Sequence, residues 1–332
     1  MKAVVVRLDS DGDVLTAGPA VRAVAGRAEV TFLCGPQGRQ AADILPGVAE
    51  VWQWACPWIL ADPPDVSTVD ITGLVTRLAG FDVALVLTSF HQSPLPMALL
   101  LRMAGVRRIA AISTDYPGSL VDHRIRPGID IDDDQPEPLK ALRVAQAAGF
   151  TLPLGDNGGL RVRTPPDTGE LTGRAPYVVV HPGASVPARA WSPDRCAEAV
   201  IALSEAGHRV VVTGAPDEKE LTARVAGADA LDLGGRTTFP ALAGVLAGAE
   251  AVVVGNTGPA HLAAAVGTPV VSLFAPVVPA SRWAPYGVPV AVLGDQQAAC
   301  RDTRATQCPL AGHPCLNSIT AADVVAAVRR LT

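Results

Sequence analysis

Phosphate chemistry is suggested by two short turns of this chain. Gly255-Asn256-Thr257-Gly258-Pro259-Ala260-His261 follows the apolar run Ala251–Val254 and opens a helix of small residues, after which comes Pro269-Val270-Val271-Ser272-Leu273. A strand that ends in a tight glycine turn and starts a helix presents backbone N–H groups and the positive end of a helix dipole. Both favour an anion. His181-Pro182-Gly183-Ala184-Ser185 repeats the arrangement after Tyr177–Val180. Two such turns in one half of a chain suggest a cradle for a nucleotide diphosphate, with His181, Gly183, Ser185, Asn256, Thr257, Gly258 and His261 as candidate contacts.

Charged side chains cluster near the same kinds of turn. Arg189-Ala190-Trp191 lies just beyond the first cradle, where a guanidinium could grip a phosphate with two parallel hydrogen bonds or pack on Trp191 at the surface. Thr213-Gly214-Ala215-Pro216-Asp217-Glu218 ends another strand; Asp217 and Glu218 could hold ribose hydroxyls or start the next helix. Near the start, Arg7-Leu8-Asp9-Ser10-Asp11-Gly12-Asp13 follows the first strand. A carboxylate there could take a proton from an attacking hydroxyl, although Asp is also common in turns and helix caps, and spacing alone does not choose. His91 and Gln92 in Ser89–Pro94, and Asp115 in Asp115–Gly118, sit in loops after two further strands, as acceptor contacts or as ordinary loop polarity. Gly-x-Gly-x-x-Gly is missing after the first strand, and Gly-x-x-x-x-Gly-Lys-Ser/Thr is missing throughout, which counts against a nicotinamide dinucleotide site and a P-loop.

These residues need a scaffold of strands and helices. Apolar runs at 3–6, 30–34, 82–87 and 108–112, with a helix over 97–104, predict a parallel sheet covered on both faces. Residues 153–176 crowd glycines and prolines, as a linker or a domain edge with one short strand at Leu160-Arg161-Val162. Strands at 178–180, 209–212, 230–233, 251–254 and 270–273 then alternate with helices at 193–206, 218–225 and 240–247, Ser192 standing as an N-cap, and a last helix covers 321–331. The fold class is α/β: two Rossmann-like doubly wound domains, 1–160 and 177–318, with a C-terminal helix in 319–332. Two such domains facing a central cleft would bring their strand C-termini to it.

At 332 residues, 49% hydrophobic and 18% charged, the chain can fill two cores. A net charge of −5 with dispersed basic residues argues against nucleic acid. The expected location is cytoplasmic: the N-terminal apolar stretch is too brief for a signal peptide, and the richest apolar stretch, 262–279, is broken by Gly267, Pro269 and Pro276.

Taken in order, Gly12-Asp13-Val14-Leu15, the His181–Ser185 turn with Arg189 and Trp191, Gly214-Ala215 and Asn256–Ala265 resemble glycosyltransferase family 9, the family of the ADP-heptose:lipopolysaccharide heptosyltransferases. The resemblance implies a GT-B fold, with the acceptor in the N-terminal domain and the nucleotide sugar in the C-terminal one. It implies inverting transfer of heptose from ADP-heptose without a metal or other cofactor. By the same resemblance Asp13 is the general base, better matched than Asp9 or Asp11. Arg189 replaces a frequent lysine and neutralises the leaving diphosphate, while Thr257, Gly258 and His261 bind phosphate.

Two positions depart from the family pattern: Asn256 stands where aspartate is frequent, and Pro216 stands where a ribose-binding glutamate is expected. These departures bear on the donor's base and sugar and keep two other readings in view. One is a nucleotide-sugar-binding protein without turnover; the other is a GT-B enzyme such as a UDP-sugar epimerase. The acceptor, whether glycan, glycolipid or small molecule, is not specified, and peripheral membrane association stays open. Cys300, Cys308, His313 and Cys315 cluster near the end, but their spacing lacks the tight pairs of zinc sites, and a reduced loop or one disulfide is favoured over a metal.

Overall fold

The first half forms six strands, β1 (Lys2–Arg7), β2 (Glu29–Cys34), β3 (Val48–Gln53), β4 (Val83–Val86), β5 (Arg108–Ile112) and β6 (His123–Ile125), in the computed structural model, which describes residues 1–332 except Phe90 and Arg174. They form one parallel sheet in the order β3-β2-β1-β4-β5-β6. Ala3–Arg7 of β1 is buried along its whole length, so the strand reads as an unbroken Val run rather than an alternation. The second half forms β7 (Val178–His181), β8 (Val210–Val212), β9 (Ala230–Asp232), β10 (Ala251–Gly255), β11 (Val270–Leu273) and β12 (Val290–Leu293). Their order is β12-β11-β10-β7-β8-β9, again all parallel.

The contacts divide the chain into Met1–Arg163 and Thr164–Thr332. Taken strand by strand, the two sheets have the same order, and each reverses direction of winding between its first and fourth strands: β1 and β4 in the first unit, β7 and β10 in the second. Ligands of doubly wound sheets bind outside the strand C-termini at such a reversal. The sequence places its two phosphate-type turns after β7 and β10, and Asp13 after β1.

The structure revises several local expectations. Strands β3, β6 and β12, and the helix Glu137–Ala147, escape the sequence reading. β3 escapes because Glu50 and Gln53 interrupt its apolar pattern at a sheet edge, and β6 because it is three residues long. No strand forms at Leu160-Arg161-Val162. The glycine-rich stretch is fastened at both ends. Asp156 takes a forked pair of hydrogen bonds from buried Arg22, at 2.7 and 3.0 Å, which lowers its carboxyl to about 2. Arg163 donates to Ile44 O and Val48 O at 2.8 and 2.7 Å. Beyond it, the chain at Pro166 passes so close to Gly244 that a Cβ there would lie 2.4 Å from Pro166 O. Ser192 occupies the N-cap position of the helix Pro193–Glu205 without a side-chain cap bond. The terminal helix Ala321–Leu331, capped by Thr320 and Asp323, buries Val324, Ala327 and Val328 in the core of the second unit and packs on Pro193–Glu205.

Candidate active site

In the first unit, the turn after β1 leads into the helix Asp11–Thr16, whose first turn carries Asp11 and Asp13, where the helix dipole favours negative charge. Gly35 and Gly38, after β2, let that turn settle: a Cβ at Gly35 would lie 2.3 Å from Leu8 O, and one at Gly38 2.8 Å from Asp9 O. Arg7 is the last residue of β1 and is 3% exposed. Its Nε meets Asp9 Oδ2 at 2.8 Å, and its Nη2 meets Asp13 Oδ1 at 2.8 Å and Ser89 Oγ at 3.1 Å. Ser10 Oγ donates to Asp13 Oδ2 at 2.9 Å.

Three aspartates thus have three environments. Asp9 is the most enclosed, and burial raises its carboxyl against the pull of Arg7. Asp11 turns toward the helix Arg39–Ile44, accepts from Ala41 N at 2.9 Å, and is pushed up to about 6 by burial. Asp13 keeps 18% of its side chain in solvent while Arg7 and Ser10 orient it. It is more exposed than Asp9, whose side chain keeps 11%.

Of the expected acceptor contacts, Gln92 is tied to the carboxylate cluster. Its Nε2 donates to Asp9 Oδ1 at 2.6 Å and its Oε1 accepts from Ser89 N at 3.1 Å, so the amide braces Asp9. His91 is exposed and its charge acts on Asp9. Asp115 is exposed after β5, its carbonyl accepting from Ser113 Oγ at 3.0 Å. Phe90, between Ser89 and His91, lies outside the described residues.

In the second unit, the turns after β7, β8 and β10 converge. A Cβ at Gly183 would fall 2.0 Å from Glu218 Oε1, and one at Gly214 would fall 3.2 Å from Glu218 Oε2. The Glu218 carboxylate therefore lies against both glycine turns, held by a 2.8 Å bond from Ala215 N. Asp217 is exposed, so of the pair expected at this level it is Glu218 that lies against the glycine turns. Gly255 serves the same purpose on the other side: its Cβ would lie 3.0 Å from Arg189 O, which brings the Arg189 turn onto the start of the Asn256–Gly258 turn.

His181 is buried with Nδ1 3.0 Å from Thr213 Oγ1, and desolvation lowers it to about 4. It is a neutral hydrogen-bonding group at neutral pH and brings no positive charge to a phosphate. Thr257 is the N-cap of the helix Gly258–Ala265, yet its hydroxyl makes no cap bond. Buried His261 lies in the first turns of that helix, and Ser185 is exposed beside the β7 turn. Asn256 corrects the sequence reading. Its Nδ2 donates to Ala275 O and its Oδ1 accepts from Ala275 N, both at 3.3 Å, so the amide pins β10 to the chain leaving β11 and its side chain is turned from the turn's open face.

A family model described as glycosyltransferase family 9 (heptosyltransferase) matches residues 130–313. The chain belongs to glycosyltransferase family 9. Lipopolysaccharide heptosyltransferase 3 of Escherichia coli is 32% identical to it over 164 residues, 47% of this chain and 46% of that protein. The same-named protein of strain K12 is 35% identical over 109 residues, 30% of each. The matching stretches thus span about half or less of those relatives. Among solved structures, E. coli ADP-heptose lps heptosyltransferase II superposes over 100% of this chain and 98% of its own, at a TM-score of 0.73 and 19% identity. The family 9 glycosyl transferase from Veillonella parvula DSM 2008 covers 99% and 96%, at 0.76 and 16%. The two six-stranded parallel sheets, each flanked by helices, have the GT-B fold of these heptosyltransferase structures.

Within this family 9 chain, sequence reasoning missed Arg7 and the loop after β9. An arginine closing an apolar buried strand must find carboxylates, and that signal was present in Arg7-Leu8-Asp9. Gly235 N donates to Gly214 O at 2.9 Å, and a Cβ at Gly235 would meet Lys219 Cε at 2.5 Å, so this loop borders the Glu218 turn. At the C-terminal end, Cys300 and Cys315 are buried and Cys308 is partly so, all three as free thiols. His313 Nε2 pairs with Ala188 O at 3.0 Å, and so supports the turn that carries Arg189. Among the described residues no group of three or more His, Cys, Asp or Glu side chains is arranged to hold a metal ion, and no helix is long and apolar enough to cross a membrane.

Proposed function

We propose that this chain transfers a heptose from ADP-heptose to a hydroxyl group of an acceptor, with inversion. The observation that carries the reading is the convergence, on one edge of the second unit, of the Glu218 carboxylate, the Gly183 and Gly214 turns, and the Arg189 turn against Gly255. Two solved structures with the same fold are described as E. coli heptosyltransferase WaaC with ADP and with ADP-2-deoxy-2-fluoro heptose. Carried to this chain, Glu218 accepts hydrogen bonds from the ribose hydroxyls. Thr257 and the N-terminus of Gly258–Ala265 receive the diphosphate, whose negative charge grows as the sugar leaves, and the Arg189 guanidinium neutralises it.

The first unit supplies the base. Asp13 takes the proton of the acceptor hydroxyl as its oxygen bonds to the anomeric carbon. The bond from that carbon to the diphosphate oxygen breaks, and ADP departs with the electron pair. Displacement from the opposite face inverts the anomeric centre. Positive charge for the leaving group comes from Arg189 and backbone dipoles, so the proposal includes no resident cofactor. Its partners are the nucleotide sugar and a hydroxyl-bearing glycan, glycolipid or small molecule.

The test is calorimetric titration of the full chain with ADP, UDP, GDP and ADP-heptose, followed by assay of ADP release. Preferential binding of ADP, tighter binding of ADP-heptose, and ADP release that Asp13→Ala sharply slows are the expected results. Preference for UDP or GDP overturns the donor, and binding without turnover in the presence of an acceptor panel overturns the transferase.

A further inference from the structure

The reversal between β1 and β4 holds more buried charge than one base requires. Arg7 is enclosed, and its fork reaches two carboxylates and a hydroxyl from two different loops: Asp9 and Asp13 after β1, and Ser89 after β4. Asp13 has its two oxygens fixed separately, Oδ1 by Arg7 and Oδ2 by Ser10. Gln92 ties Asp9 to the Ser89 backbone, so hydrogen bonds and the Arg7–Asp9 ion pair link the two loops around the guanidinium. A guanidinium is planar and always charged, and it presents its N–H groups at fixed angles. The direction in which Asp13 presents its carboxylate is therefore set by Arg7, which is itself fixed by Asp9 and Ser89.

We infer that Arg7 is a positioning residue for proton abstraction: its guanidinium orients the Asp13 carboxylate, while Asp9 and Ser89 hold the guanidinium in place. The inference rests on the reading of Asp13 as the base. Burial presses Arg7 down, but Asp9, Asp13 and Glu137 around it prevail and raise it, so it stays a cation throughout the working range. The ionisable groups facing this cluster are His91 from the β4 loop, Cys56 after β3, and Glu137 from the helix Glu137–Ala147, where Lys140 Nζ lies 3.5 Å from Glu137 Oε1 and 2.7 Å from Asp133 Oδ1. Removing Arg7 leaves Asp9 and Asp13 to repel each other. Neutralising Asp9 leaves the whole Arg7 charge to Asp13. The two changes should act on the base in opposite senses.

The experiment follows ADP release from ADP-heptose, with water as the acceptor, across pH in the full chain and in Arg7→Met, Arg7→Lys and Asp9→Asn. ADP-heptose affinity is read by calorimetry and folding by circular dichroism. Arg7→Met should lower turnover roughly 10²-fold, the scale of a misplaced reacting group, and move the acidic limb of the rate profile toward neutral pH. Arg7→Lys should recover about tenfold of that loss, because it keeps the charge but not the fork. Asp9→Asn should move the limb to lower pH, and donor affinity should stay that of the parent in all three. Should Arg7→Met fail to fold, the other two variants carry the test. Parent-like turnover and profile in Arg7→Lys and Asp9→Asn, or limbs of Arg7→Met and Asp9→Asn displaced the same way, overturn the inference while leaving the transferase intact. A parent chain that releases no ADP with water or with the acceptor panel overturns the transferase reading and, with it, the inference.

Discussion

The two sheets share one strand order and differ in what they place at its reversal. Between β1 and β4 the first unit puts side-chain charge: Arg7, Asp9 and Asp13, braced by Ser89 and Gln92. Between β7 and β10 the second unit puts Gly183, Gly255, a neutral His181 and the N-terminus of a helix, with Glu218 folded over Gly183 and Gly214. The first arrangement suits proton transfer, which needs a carboxylate of fixed direction. The second suits a large ligand, which needs room for close backbone approach and diffuse positive potential. One topology thus carries two kinds of site, set apart by whether the residues closing its strands carry charge or lack side chains.

The sharpest way to break this comparison is to remove the charge from one side. Asp13→Ala should lower transfer by about 10²- to 10⁴-fold, the usual worth of a general base, with ADP affinity unchanged. An equal loss of ADP affinity in that variant would mean that the division of labour is wrong.

The next test uses the neutral histidine. His181 is buried and lowered to about 4 from 6.5, so between those values the unfolded chain binds a proton that the folded chain refuses. Stability then rises with pH in that window: it is full above about 6.5 and lost as pH falls through 4, by about 3 kcal/mol in all. Denaturant melts of the parent and of His181→Gln at pH 7 and pH 4.5 check this. A drop of the same size in both would assign the acid sensitivity to other groups.

A third and smaller effect concerns Glu218. Glu218→Ala should weaken ADP binding by about 1.5–3 kcal/mol, the worth of hydrogen bonds to a charged group, and Gly183→Ala should weaken it too, because its new Cβ would displace that carboxylate. Calorimetry would show it, and Asp217→Ala serves as the exposed control. A larger loss in the Asp217 variant would reverse the assignment.

The sequence made one of these two sites far more legible than the other. Apolar runs bounded by glycine turns announce β7 and β10, because backbone chemistry is expressed in Gly, Pro and small residues at fixed offsets. Side-chain networks leave no such mark. Ser89 is 82 positions from Arg7 and Gln92 is 83 from Asp9, and neither pairing has a local signature. Spacing could not tell Glu218 from Asp217, and only the fold shows which carboxylate lies back against Gly183. The missed strands have a like cause: β3 is half exposed at a sheet edge and β6 is three residues long, so neither shows the buried run by which the central strands are read.

The smallest expected effect tests how well the Asn256 turn of the second reversal tolerates an added side-chain charge. Asn256 both donates to Ala275 O and accepts from Ala275 N, a pairing that a carboxylate cannot complete because it has no donor. Asn256→Asp should turn one bond into a contact between two oxygens, while its charge gains from the nearby N-terminus of Gly258–Ala265. These terms oppose each other, and the buried loss should prevail by about 1 kcal/mol at pH 7. On acidification the introduced carboxyl group takes up a proton and regains a donor, so the difference from the parent should shrink toward pH 4, where thermal melts of the two chains would be compared. The same charge beside the diphosphate should also weaken ADP binding. A variant as stable as the parent at pH 7, and binding ADP as well, would show that this turn tolerates an anion and that its contrast with the Arg7 cluster is one of degree.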